Sequence, residues 1–159
     1  MNFVSLDDLP KKIPIFPLTG AVLFPKTQLP LNIFEPRYVQ MLNAALATPH
    51  KLIGMIQPIA GSDNSLKKVG CVGRVTSYNE TDDHRYLITL NGIIRFEIEN
   101  ELDTTTQYRQ IEVNYENFIT DLKSEDVTNV DRESLLKLIK KYLKNKSLLA
   151  DWDIIQQTP

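Results

Sequence analysis

Few residues in this chain have the types and spacing that chemistry needs. It has one cysteine, Cys71, and two histidines, His50 and His84. Zinc sites draw on several Cys or His ligands, which these three in total do not supply. Cys71 and His84 would make a nucleophile–base couple only if the fold brought them together. Cys71 lies in an apolar stretch, VGCVGRV, where a buried, inert thiol is the expected outcome. Glu80, Asp82, Asp83 and His84 crowd one turn and could hold a hard cation. Their spacing matches no calcium loop, so a solvated hairpin tip is the preferred reading. No glycine is followed by lysine, which excludes the G-x-x-x-x-G-K-[ST] phosphate loop and ATP hydrolysis of that type. Lys137, Lys140, Lys141 and Lys144 recur at helical spacing and could meet acidic partners or phosphates. No aromatic residues interleave with them as a single-strand-binding surface requires, so they read as the solvated face of an amphipathic helix. The expectation is a non-enzyme with no metal and no cofactor.

The totals agree with that reading. A chain of 159 residues fits one domain, or one domain with a small appendage. Charged residues make up 24% and the net charge is −2, where a generic nucleic-acid binder shows a basic excess. A single cysteine rules out an internal disulfide and fits a reducing compartment. The start, MNFVSLDDLPKK, has no basic n-region followed by a sustained apolar run, so no signal peptide is expected. No apolar run approaches the ~20 residues of a membrane span. A cytoplasmic protein without a membrane partner is expected.

The elements that would position any site begin with Ile13 to Tyr38, which is densely apolar and carries Pro14, Pro17, Pro25, Pro30 and Pro36. No helix runs through such a stretch. Ile13–Leu18 and Gln28–Phe34 read as sheet-edge strands, because a proline cannot donate to a ladder. A helix over about 36–47 follows, with Pro36 in its first turn, Glu35 at the positive end of its dipole, and a stripe of Tyr38, Met41, Leu42 and Ala45. Glu35 and Arg37 are expected to pair. Leu52–Pro58 and Val69–Tyr78 read as strands, the latter with two glycines that suggest bulges. In YLITLNGIIRFEI (86–98) the Asn91-Gly92 pair predicts a type I′ hairpin turn. Leu87, Ile94, Phe96 and Ile98 would then share one face, and Ile88, Leu90 and Ile93 the other. Tyr108–Val113 is a further strand. A helix start at Ser124–Asp126 leads into a stripe of Val130, Leu135, Leu138, Ile139, Tyr142 and Leu143. Strands first and helix last indicate an α+β fold.

The segment PIFPLTGAVLFPKTQLPLNIFEPRY resembles the start of the Lon protease N-terminal, substrate-binding domain, in the form found as a free-standing protein without ATPase or protease domains. The likeness rests on Phe16-Pro17-Leu18, Phe24-Pro25, Leu29-Pro30-Leu31 and Ile33-Phe34-Glu35-Pro36-Arg37-Tyr38. It continues through Ile53-Gly54-Met55, Val69-Gly70-Cys71-Val72-Gly73 and Gly92-Ile93-Ile94-Arg95-Phe96, and covers about Ile13 to Trp152. Thr19 and Lys26 depart from the residues common in full-length Lon, which places the likeness nearer to free-standing relatives. The resemblance implies a β-rich PUA-like pseudo-barrel over 1–120 with one inserted helix, and a helical subdomain over 121–159. The helical part of the family usually continues further, so that subdomain is expected to be incomplete.

The resemblance also implies a non-catalytic module that binds unfolded or apolar protein segments, with an adaptor role for an ATP-dependent protease or chaperone as the expected context. The peptide-binding candidates are Phe24, Phe34, Tyr38 and Ile93. RNA binding is the alternative, since PUA-like folds resemble RNA-binding modules; the acidic balance weighs against nucleic acid.

Overall fold

The computed structural model describes residues 3, 5–61, 64–83, 85–123 and 131–147. In chain order its strands are β1 (Lys12–Pro17), β2 (Gln28–Ile33), β3 (Leu52–Ile56), β4 (Val69–Glu80), β5 (Tyr86–Glu101) and β6 (Gln110–Asn114). Helix α1 spans Pro36–Leu46 and α2 spans Arg132–Asn145, with a 3-10 segment at Glu116–Leu122. The chain divides into two compact units, Met1–Ser124 and Glu125–Pro159.

The six strands form one mixed sheet in the order β2-β5-β4-β3-β1-β6, and a further β5–β6 pairing closes it into a ring. Closure is possible because β5 is 16 residues long. Along one edge its first half pairs with β2 and its second half with β6, while the other edge runs against β4. Among the described strands, only the β1–β3 pairing is parallel.

Two apolar clusters hold this arrangement. Ile13, Ile15, Leu52, Val72, Ile94, Phe96 and Ile111 fill the inside of the ring. Phe16, Ile53 and Met55 belong instead to the cluster containing Tyr38, Met41 and Leu42 of α1. Strands β1 and β3 are therefore covered on both faces, which is why LIGMI is apolar at every position rather than alternating and is buried throughout. The helix forms where expected, with Pro36 in its first turn and Tyr38, Met41, Leu42 and Ala45 buried. Glu35 and Arg37 do pair, at 2.7 Å, but their side chains are 44% and 53% exposed. Such a pair contributes at most about 1 kcal/mol, so the buried stripe docks the helix.

Two sequence expectations are corrected. Strand β1 is not at an edge, since it lies between β3 and β6. Its prolines are tolerated because the β3 ladder begins only after Pro14, at Ile15, and the pairing to β6 stops short of Pro17. Strand β2, with Pro30, is at an edge as expected and pairs only with β5.

Asn91-Gly92 makes no hairpin turn either: both residues lie inside β5, and the β4–β5 connection falls at 81–85. Ile88 and Leu90 pack in the cluster that contains the α1 residues, and Ile94 and Phe96 in the cluster inside the ring. The change of face comes at the register shift opposite Val72/Gly73 rather than at a turn, and Ile93 packs with the second cluster rather than with Ile88 and Leu90. Gly92 is needed for a close approach instead. Its N–H donates to the Thr27 carbonyl and its own carbonyl accepts from Lys26 N–H, both at 2.8 Å. A Cβ there would fall 1.9 Å from the Phe24 carbonyl oxygen.

In the second unit α2 begins at Arg132, with the Asp131 carboxylate accepting from Ser134 N–H at 3.0 Å. The expected start at Ser124–Asp126, Val130 and Trp152 lie outside the described residues. Leu135, Leu138 and Tyr142 are exposed, as are Lys137, Lys140, Lys141 and Lys144.

Replacing Gly92 by Ala forces the 23–27 segment off β5. The expected loss is about 2–3 kcal/mol of stability, read as a lower urea midpoint; an unchanged midpoint would contradict the close approach.

Candidate functional site

Between β1 and β2 the chain crosses the sheet as a strap, residues 21–27. Leu23 is its anchor, 4% exposed, with its side chain against Gly73 and Gly92. The Thr27 hydroxyl donates to the Phe24 carbonyl at 2.9 Å and fixes the turn at Pro25-Lys26. Lys26 adopts φ 65, a left-handed conformation uncommon outside glycine. Gln57 Nε2 donates to the carbonyls of Leu18 and Ala21, tying the strap's start to the end of β3.

The strap forms one wall of a groove of about 140 Å³, whose floor and other wall are Met55, Ile56, Val69, Gly70 and Cys71. Val22, Phe24 and Val69 stand 54%, 61% and 42% exposed along it. Scattered exposed apolar residues are ordinary, but apolar groups gathered at a concave site mark binding surfaces.

One charged residue, Arg95, joins the lining. Its Nε and Nη2 donate to the Asp121 carboxylate at 2.9 and 2.8 Å, and its backbone N–H donates to the same group at 3.1 Å. The guanidinium also lies 4.6 Å from the centre of the Phe118 ring. The 3-10 segment Glu116–Leu122 is thereby fastened to β5 beside the groove. These hydrogen bonds hold the Asp121 carboxyl below the usual carboxylate range. Burial, reinforced by the Asp121 charge, pushes the Cys71 thiol up to about 12. A thiol that stays protonated at neutral pH is a poor nucleophile. The lining offers an amide, an engaged guanidinium and a neutral thiol around an apolar trough, which suits holding apolar side chains.

The four sequence candidates do not converge. Phe24 lines the groove. Phe34 is 59% exposed just past the end of β2, with the Arg85 guanidinium 5.5 Å from its ring centre. Tyr38 is 8% exposed and its ring packs against that of Phe16 within the core, centroids 4.2 Å apart and planes tilted by 45°. Ile93 is half-buried against the cluster inside the ring. His84 lies outside the described residues, while Asp83 pairs with Arg85 at 2.7 Å. Sequence reasoning missed Val22, Val69 and the Arg95–Asp121 pair. The exposure of Val22 and Val69 had no signal in their apolar contexts, and Asp121 lies 26 positions from Arg95.

Because the folded Asp121 carboxyl titrates below its unfolded value of roughly 4, its stabilisation is fully present above pH ~4 and is lost as pH falls through the folded value. Asp121→Asn is expected to cost about 1 kcal/mol at pH 7, with the difference from the unmodified chain shrinking as pH falls below ~4 in urea titrations. A pH-independent difference would contradict the pair. Cys71 is expected to resist iodoacetamide at pH 8 until the chain is unfolded; rapid native labelling would contradict its burial.

Comparison with known proteins is consistent with this architecture. The family model for the ATP-dependent protease La (LON) substrate-binding domain matches residues 12–158. Lon protease 2 of Sorangium cellulosum is 29% identical over 119 residues, 71% of this chain and 15% of that protein. Lon protease of Parabacteroides distasonis is 32% identical over 135 residues, 80% of this chain and 15% of that protein. The chain thus spans about 15% of the length of these relatives. Two solved structures share its fold. One is the N-terminal domain of Mycobacterium avium complex Lon protease (TM-score 0.61, 14% identity, 92% of this chain and 73% of that one). The other is a Lon N-terminal domain protein from Xanthomonas campestris (TM-score 0.56, 23% identity, 65% and 59%). With a family match across nearly its whole length, and the six-stranded α+β architecture of the Lon N-terminal domain structures, the chain belongs to the LON substrate-binding domain family.

Proposed function

We propose that this chain is a non-catalytic recognition module that captures exposed apolar segments of other polypeptides in the groove beneath the 21–27 strap, as an adaptor in protein quality control or proteolysis. The observation that carries this reading is the set of exposed apolar residues Val22, Phe24 and Val69 on the walls of one trough, held open by a strap that is itself firmly anchored. Burying one such side chain against a partner is worth about 1.5–3 kcal/mol. The ordering of a flexible ligand offsets much of this, so affinities in the micromolar range or weaker follow. Family membership supports the polypeptide class of ligand. An ATP-dependent protease or a chaperone is the proposed associate, and the cytoplasm the proposed compartment. The RNA-binding alternative gains no support here, since the groove's one guanidinium is engaged by Asp121.

Fluorescence anisotropy of a labelled, permanently unfolded protein titrated with this chain tests the reading. Saturable binding is expected, weakened roughly 10-fold by Phe24→Ser, while the urea midpoint of that variant stays within about 0.5 kcal/mol of the unmodified chain, as for exposed positions generally. No binding at high micromolar concentration, or equal binding by the variant, would refute it.

A further inference from the structure

A second cavity, of about 210 Å³, opens where the end of β1, the first turn of α1 and residues 107–109 meet, and its wall carries Arg37, Tyr38, Gln107, Tyr108 and Arg109. Both guanidiniums are already oriented. Arg37 donates through Nε and Nη2 to Glu35 at 3.0 and 2.7 Å. Arg109 donates through Nε and Nη2 to Glu101, both at 2.6 Å. A guanidinium has five N–H donors in a rigid fork. With one edge fixed by a carboxylate, each arginine keeps its Nη1 group, which has no hydrogen bond among the described residues. The Tyr38 ring is locked in the core against Phe16, and its hydroxyl likewise has no hydrogen-bond partner among the described residues. That hydroxyl lies within the fields of Arg37 and Arg109, which favour a nearby negative charge, and of Glu35, which opposes it.

The geometry points to an oxyanion site, and we propose that it takes the terminal carboxylate of a bound polypeptide, held by Arg37 Nη1, Arg109 Nη1 and the Tyr38 hydroxyl. The source of the carboxylate rests on the polypeptide-binding reading above. Two features suit such a ligand. Its carboxylate accepts only, and the three free groups donate only or can donate. Glu35 and Glu101 balance the two arginines in charge, so recognition depends on oriented donors rather than on a net positive patch. A general attraction for nucleic acid or polyanions is therefore not expected. Gln107 is itself positioned, with its backbone N–H donating to the Gln40 side chain at 3.1 Å, at the rim where a peptide's last residues would pass.

The test is an NMR titration of the full chain with one tripeptide in two forms, free acid and C-terminal amide, with inorganic phosphate as a third arm. The acid is expected to shift the resonances of Tyr38, Gln107 and Arg109 saturably, and the amide to bind roughly 10-fold more weakly or worse. Tyr38→Phe keeps the ring and its packing while removing one donor, and is expected to reduce the acid-over-amide preference several-fold without moving the urea midpoint. Equal shifts from acid and amide, or an undiminished preference in Tyr38→Phe, overturn the proposal. Phosphate binding more tightly than the acid, and displacing it, would assign the oxyanion site to phosphate and overturn the chain-end assignment. The groove reading is scored separately, by resonances of Val22, Phe24 and Val69 with the unfolded protein.

Discussion

Two backbone hydrogen bonds at Gly92, donated by Gly92 N–H and by Lys26 N–H, are the constraint on which the groove depends. They bring the strap within contact distance of β5, which only a residue without a Cβ permits. Through them Leu23 is pressed against Gly73, Phe24 is turned outward, and the trough between the strap and β3–β4 keeps a fixed width. A wall held by main-chain bonds leaves its side chains free to face a ligand. Pre-organisation of this kind lowers the ordering cost of binding.

The same sheet serves two separate surfaces because its strands are buried in different ways. Strands β1 and β3 are covered by α1 on one side and by the ring interior on the other, and they reach the two surfaces only through their ends, Pro17 in one and Met55 and Ile56 in the other. Two of the concavities open at the margin of that doubly covered zone. One is apolar, beside the strap, and the other is polar, beside the first turn of α1. Cys71 illustrates the division: it lines the trough, but burial keeps its thiol protonated.

Much of the fold was legible where a local rule and the tertiary environment agreed. The helix at Pro36–Leu46 has its proline, its stripe and its position as read from the sequence, because periodicity and burial coincide there. Asn91-Gly92 was misread for a physical reason. A turn and a close approach make the same demand for glycine at one position, and the local sequence does not say which applies. The prolines of β1 mislead in a similar way. They bar pairing at single positions, and the chain accommodates them by handing the strand from β6 to β3 along its length. Of the candidate groove, Phe24 was already among the residues named from the sequence, through the family likeness at Phe24-Pro25. Its companions Val22 and Val69 were not, since exposure of an apolar residue is set by what fails to cover it. The Tyr38–Arg37 pair was quoted as part of a family motif, yet the guanidinium that completes its cavity, Arg109, is supplied from a distant stretch.

The handing of β1 between two partners has a consequence for how the chain is made. Lys12 pairs with Glu112, 100 positions later in the chain, so the ring cannot close until β6 has been synthesised. At roughly 5–20 residues per second, Ile13, Ile15 and Phe16 wait on the order of 5–20 seconds without their final neighbours. Until then the first half of the strand, residues 12–14, lacks its ladder partner, and only residues 15–17 have one, in β3. The two prolines of β1, which look like obstacles to the finished sheet, also deny a continuous donor edge to other nascent chains. Selection on this segment would then act during synthesis as well as on the folded state.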